Sequence, residues 1–276
     1  MAQQDGMTER PRGAGTSCAG TRQALLEQLL PIARAAGAAI LDIYATDFAV
    51  HDKADGSLVT EADQRAEAII LAGLAELTPH IPVVSEEAVS AGRIPVVGKS
   101  FWLVDPLDGT REFAQRNGEF TVNIALIEDG VPVAGVVLAP VLAKLYAGAV
   151  GQGAFIEEAG VRRVIACARP RDEGLTVVSS RSHGDAGLLA QFLAGRKVAS
   201  SVTIGSSLKF CMVASGEADL YPRFGRTMEW DTAAGHAVLL AAGGRVSDLA
   251  GYALSYGKTG FENPHFWAGG DSLRIK

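Results

Sequence analysis

The chain has few cysteines, no long apolar run and no excess of basic charge. Each shortage removes a class of protein. The three cysteines, Cys18, Cys167 and Cys211, are odd in number and far apart. That makes neither a disulfide framework nor a zinc site and suits a reducing compartment, so a cytoplasmic location is expected. No apolar run reaches the ~20 residues of a membrane helix, so no integral membrane segment is expected. The net charge is −6. Nucleic-acid backbone binders carry a basic excess or stripe, so none is expected as partner. Any phosphate binding must be local and metal-assisted. Internal repeats and low-complexity tracts are also missing. Residues 1–20 are polar and lack an apolar signal core, and read as a disordered tail. The rest of the 276 residues suffices for one large domain or two small ones. The expected units are 21–165 and 166–276, parted at the polar, proline-containing stretch Ala166–Asp172.

What is present is organised around Phe101-Trp102-Leu103-Val104-Asp105-Pro106-Leu107-Asp108-Gly109-Thr110. An aromatic and branched run stopped by proline predicts a buried strand ending at Pro106. A tight turn would then aim Asp105 and Asp108 at one point, with the Leu107 carbonyl between them. Gly109 permits close backbone approach, and an amide cradle forms if Thr110 opens a helix. Hard oxygen ligands beside an anion cradle suit a Mg²⁺-dependent phosphate enzyme. An acidic turn with an ordinary cap would read the same way locally.

Helical spacing predicts a long amphipathic helix from Thr21 to about Tyr44. A short extended piece and a turn at Asp55-Gly56 come next. Thr60 and Asp63 have the spacing of a capping box, so Asp63 is explained by the cap unless other groups call on it. Ile81–Ser85 reads as a strand running into Glu86-Glu87. On extended backbone those two carboxylates would point opposite ways, one toward a site. Ala88–Lys99 reads as a mobile loop. Beyond Thr110, branched and aromatic runs over Phe120–Ile127, Val131–Ala139 and Lys144–Val150 predict an antiparallel meander. The fold class is therefore α+β rather than a βαβ repeat. In the second unit, Gly205-Ser206-Ser207 opens a helix with Lys209 one turn in, and Asp231 stands where a helix N-cap would. His183 reads as a surface histidine. Arg223 could clamp an anion or pair with a surface carboxylate.

Separately these signals are weak; their order is not. Asp63, Glu86-Glu87, Asp105-Pro106-Leu107-Asp108-Gly109-Thr110 and Trp230-Asp231-Thr232-Ala233-Ala234 together resemble the signature of the lithium-sensitive, Mg²⁺-dependent phosphatases of the inositol monophosphatase superfamily. The match runs from about Thr21 to the C-terminus. More narrowly, Glu112-Phe113, Asn117–Asn123, Ser179–His183, Gly205–Lys209 and Tyr221–Gly225 resemble the bacterial 3′(2′),5′-bisphosphate nucleotidases.

The resemblance implies a layered α/β/α/β/α fold and two or three Mg²⁺ ions per site. Glu86, Asp105 and the Leu107 carbonyl would hold the first, and Asp105, Asp108 and Asp231 the second. Asp63, Thr110 and Glu87 are the implied catalytic positions. Thr110, paired with Asp63, would orient and deprotonate the attacking water, with Glu87 behind the ligands; Asp63 could also hold a third, weaker metal through water. The Gly109 and Thr110 amides would bind the scissile phosphate. Glu86, Leu107, Asp108 and Asp231 also count among the implied substrate-binding positions, with His183, Ser206, Lys209 and Arg223 on the nucleotide. Lys209 and Arg223 would take the phosphate that is retained.

The expected function is hydrolysis of the 3′-phosphate of adenosine 3′,5′-bisphosphate, with 3′-phosphoadenylyl sulfate as a second substrate, clearing a by-product of sulfate assimilation. A phosphatase of inositol phosphate or another small sugar phosphate is the alternative, and a non-catalytic nucleotide-binding regulator the second. The resemblance leaves room for a homodimer and for peripheral attachment to the inner face of the plasma membrane.

Overall fold

The computed structural model describes residues 17–53, 56, 58–169, 172–181 and 184–275. The first helix, α1 (Ser17–Tyr44), starts four residues ahead of the expected Thr21. Residues 17–20, expected in the tail, are therefore helical. The remainder of that expected tail, and His183, lie outside the described residues.

Strands β1 (His51–Asp52) and β2 (Leu58–Val59) form a small antiparallel pair. Helix α2 (Glu61–Leu77), strand β3 (Val83–Ser85) and helix α3 (Glu86–Ser90) come after it. Residues 88–90, expected as loop, belong to α3. Next come β4 (Ser100–Asp108), α4 (Thr110–Ala114), β5 (Thr121–Glu128), β6 (Val131–Ala139), β7 (Lys144–Ala149), β8 (Gly153–Glu158) and β9 (Val161–Ile165). Strands β3 to β9 make one sheet in chain order. Its pairings are antiparallel apart from β3 with β4.

The second half contributes β10 (Leu175–Ser180), α5 (Ala186–Leu193), β11 (Val198–Ile204), α6 (Leu208–Ala214), β12 (Leu220–Arg223), α7 (Glu229–Ala241), β13 (Gly244–Asp248) and β14 (Phe266–Gly270). Its sheet has the order β11-β10-β12-β14-β13. The first three strands are parallel, and β14 runs antiparallel to its two neighbours.

Alternation along β4 explains the layering. Trp102 and Val104 face α1 and α2, joining Leu26, Leu29, Ile40, Ile70 and Leu74. Phe101 and Leu103 face the other way, joining Phe210, Val238, Leu239 and Phe266 from α6, α7 and the second sheet. Side chains two apart share a face, so one strand serves two cores. Outside the second sheet, Phe192 and Leu193 of α5 pack on Val177, Leu220 and Trp267. The five layers are thus α/β/α/β/α. Within α1, Arg22–Tyr44 has the length and apolar content of a membrane span, but its apolar stripe is consumed by this packing.

Strand β4 does not end at Pro106 as expected. Asp105 pairs with Asn123 and Asp108 with Thr121, leaving Pro106 and Leu107 opposite Val122 alone, so the ladder bulges and resumes. A bulge leaves a residue unpaired, so the N–H that Pro106 lacks is not needed there, and it re-aims the side chains around it.

Helix α7 lies unusually close to the first sheet. A Cβ on Gly135 would come 2.7 Å from the Ala234 carbonyl oxygen and 2.8 Å from Ala237 Cβ. Replacing Gly135 by valine should push α7 off the sheet and destabilise the protein by about 1–3 kcal/mol, the usual cost of overpacking. Urea unfolding checks this; an unchanged midpoint would show that the layers can separate freely.

Candidate active site

The ends of both sheets meet at a cavity of about 510 Å³. Glu86, Asp105, Leu107, Asp108, Gly109 and Thr110 line it from one side; Ser206, Lys209, Arg223 and Asp231 line it from the other. Of the residues singled out in the sequence, Asp63 and Glu87 stand just behind this lining.

The local sequence explains each position. Thr60 caps α2, and its backbone N–H and hydroxyl both donate to Asp63 Oδ2 at 2.7 Å. The other oxygen, Oδ1, faces Thr110, whose hydroxyl donates at 3.4 Å. Asp63 therefore does both jobs weighed for it, capping its helix with one oxygen and meeting Thr110 with the other. The Thr110 hydroxyl also lies 3.4 Å from the Leu107 carbonyl. Gly109 precedes α4 in the left-handed region at φ 95°, which lets the chain turn from the bulge into the helix. Asp105 Oδ1 accepts the Leu107 N–H at 3.0 Å, fixing the turn between the two aspartates. Asn123 Nδ2 reaches Asp108 Oδ2 at 3.4 Å and Ser207 Oγ at 3.0 Å, tying β5 to the start of α6.

Two expectations need correction. Glu86 and Glu87 are not on extended backbone with opposed side chains; they open α3. Helical rotation separates them by about 100° rather than 180°, so one ammonium reaches both. Lys53 Nζ donates to Glu86 Oε1 at 2.7 Å and Glu87 Oε1 at 2.5 Å. Asp231 is not the N-cap of α7 but its third residue; Met228 is the cap, and its N–H donates to Asp231 Oδ2 at 2.8 Å. The reaching-back carboxylate is the same device as at Asp63.

Burial and mutual repulsion raise the carboxyl pKa values. Burial lifts Asp63 to about 6, against the bonds from Thr60. Burial lifts Glu87 to about 7, opposed by Lys53 and helped by Glu86. Asp231 rises to about 8, through burial first and then Asp108 and Glu86. Asp105 and Asp108 are also raised, burial being the main cause for both. Burial pulls Lys209 down to about 8, with Asp108 opposing and Arg223 adding to the effect. Lys53 is raised despite its burial, because Glu86 and Glu87 outweigh it.

The donor set fits divalent cations. It is made of carboxylates and a peptide carbonyl, all hard oxygens, and each raised carboxyl would be relieved by a shared positive charge. Among the described residues no three acidic side chains are already drawn to one ion's spacing. The fit is therefore one of chemistry and convergence.

Three participants were missed in the sequence. Lys53 sat in the short extended piece before Asp55-Gly56, Asn123 stood in the Asn117–Asn123 motif and in a strand without a role of its own, and Thr227 carried no motif. Thr227 lines the cavity, and its buried hydroxyl, like that of Ser206, has no hydrogen-bond partner among the described residues. No local signal ties Lys53 to the Glu86-Glu87 pair, because 33 positions separate it from Glu86.

A five-layered fold with an acid-rich cleft between two sheets is the architecture of a sugar-phosphatase-type enzyme. The chain belongs to the inositol monophosphatase family, whose model matches residues 21–270. It is 51% identical over 245 residues to the 3′(2′),5′-bisphosphate nucleotidase CysQ of Salmonella typhimurium, covering 88% of this chain and 98% of that one. The CysQ of Escherichia coli K12 is 50% identical over the same shares. Among solved structures, CysQ from Bacteroides thetaiotaomicron matches with a TM-score of 0.75 and 37% identity, over 94% of this chain and 100% of that one. The suppressor protein suhB from Bartonella henselae matches with a TM-score of 0.75 and 28% identity, over 91% and 96%.

The pKa shifts set a pH dependence. A buried carboxyl raised in the folded state binds its proton more tightly there than when unfolded. Folding stability then falls as pH rises between the unfolded and folded pKa values. For Asp231 that window runs from 3.8 to about 8. In EDTA, stability should decline across it by up to about 1.4 kcal/mol per pH unit for each such group, and Asp231→Asn should flatten the decline. Urea melts at several pH values measure it; stability rising through this window would contradict the assignment of these buried acids.

Proposed function

We propose that this protein hydrolyses the 3′-phosphate of adenosine 3′,5′-bisphosphate to AMP and phosphate, with Mg²⁺ as cofactor. The observation that carries this reading is the pairing, across one cavity, of a carboxylate cluster with two buried cations, Lys209 and Arg223. The first suits a metal-held scissile phosphate; the second suits another anion on the same small molecule. The names of the CysQ relatives point to the same substrate.

Glu86, Asp105, the Leu107 carbonyl, Asp108 and Asp231 would hold two or three Mg²⁺ ions, which when bound neutralise charge developing on the phosphoryl group and acidify water. The chain's own residues do the rest. Thr110 donates its hydroxyl proton toward Asp63, leaving its oxygen lone pairs to accept from the attacking water. Asp63, at about 6, takes up a proton near neutral pH, the range that suits a general base. Glu87 supports the site through Lys53, which it shares with Glu86. The Gly109 turn cradles the phosphate that leaves. Lys209 and Arg223 hold the one that stays, with Ser206 beside them. Sulfated 3′-phosphoadenylate presents similar charge and would be accepted as a second substrate, while hydrolysis of adenosine 3′,5′-bisphosphate itself would clear a by-product of sulfate assimilation.

Phosphate release from adenosine 3′,5′-bisphosphate, set against inositol 1-phosphate, tests the reading, with Mg²⁺ and with EDTA. The expected result is Mg²⁺-dependent release with clear preference for the nucleotide. Preference for the inositol ester would overturn it, and nucleotide binding without any release would make the chain a regulator. Thr110→Ala should cut turnover by about 10²-fold, the scale of lost general-base assistance, while calorimetry shows metal affinity mostly intact.

A further inference from the structure

We infer that Glu119 and Arg181 form a positioning pair that holds the turn before Lys209 at a set distance from the turn carrying Thr110. This rests on the reading that Lys209 and Arg223 bind the retained phosphate.

The backbone of Glu119 lies between the two halves of the site. A Cβ on Gly109 would come 3.3 Å from its carbonyl oxygen, and one on Gly205 would come 2.6 Å from the same atom. Two glycines, one from each phosphate-facing turn, thus close on a single peptide oxygen. The side chain adds a grip. Glu119 Oε2 accepts the Gly205 N–H at 2.8 Å. Arg181 meets the carboxylate with two prongs, Nε to Oε2 at 3.0 Å and Nη2 to Oε1 at 2.7 Å. Arg181 Nη2 also donates to the Thr203 carbonyl at 3.2 Å. The pair therefore holds the chain on both sides of Ile204.

The residues just after Gly205 depend on that grip. Ser206 is left-handed, with φ 51°. The Lys209 ammonium donates to the carbonyls of Ile204 and Ser206, so its position is set by the turn that Glu119 holds. Neither Glu119 nor Arg181 lines the cavity, so the pair acts through the turn and not on the substrate. Being partly exposed, it contributes little to global stability. A bisphosphate carries its two anions at a limited range of separations, and the two turns must match it. A 3′-monophosphate uses the Thr110 turn alone.

The test compares adenosine 3′,5′-bisphosphate with adenosine 3′-phosphate on the full chain, using Glu119→Ala, Glu119→Gln and Arg181→Met. Glu119→Ala and Arg181→Met should raise KM for the bisphosphate about tenfold and leave kcat/KM for the monophosphate within about twofold, the scale of one displaced charged contact. AMP, which keeps the 5′-phosphate, should bind these two variants more weakly by the same factor in EDTA, with Tm unchanged. Glu119→Gln, whose amide oxygen still accepts the Gly205 N–H, should recover part of the loss. Equal losses on both substrates, or an unaltered KM for the bisphosphate, would overturn the inference. A wild-type protein with no preference for the bisphosphate would bring down the reading of Lys209 and Arg223, and the inference with it. A wild-type preference that stays undiminished in Glu119→Ala would bring down the pair alone.

Discussion

Everything in this protein answers to one electrostatic constraint: several carboxylates share a buried cleft and need positive charge near them. Burial and mutual repulsion push Asp63, Glu87, Asp105, Asp108 and Asp231 above their ordinary range. Lys53 answers at one edge by bridging Glu86 and Glu87. Lys209 and Arg223 answer from the opposite wall, both buried. A cleft of this kind favours ligands that rebalance it, cations among the carboxylates and an anion at the far wall. The same arrangement that weakens the folded state at high pH is what makes the site receptive.

The five layers exist to bring those charges together without letting them collapse or drift. The α7 helix is the central member, because it packs on the first sheet at Gly135 and carries Asp231 at its start. Its first residue, Glu229, is fully buried and accepts the N–H groups of Gly257 and Lys258 and the Lys258 ammonium. Asn263 donates to the Met228 carbonyl just before it. The β4 bulge does the corresponding work on the other side, holding Asp105 and Asp108 within one turn. A buried site assembled from both sheets ties its geometry to the integrity of the whole fold, since local loosening at either wall would separate the ligands.

Sequence alone determined the elements with local causes. Branched and aromatic runs parted by turns specify the meander from β5 to β7, spacing specifies α1 and α2, and the Thr60–Asp63 capping box marks where α2 begins. The ordered acidic motifs, taken together, specified the family. Local reasoning failed where a neighbour from elsewhere in the chain decides. Pro106 stops a strand in isolation, but pairing with β5 carries the ladder past it as a bulge. Strands β13 and β14 show no local signal, because their antiparallel pairing beyond β12 rests on partners and not on pattern. Tertiary structure alone decided that Asp63 spends one oxygen on its cap and one on Thr110, and that Lys53 bridges two glutamates. It also decided that Glu119 sits between Gly109 and Gly205. Periodicity and capping act within a few residues, whereas the contacts Lys53–Glu86, Asp63–Thr110 and Glu119–Gly205 join residues 33, 47 and 86 positions apart, and only packing brings such segments together.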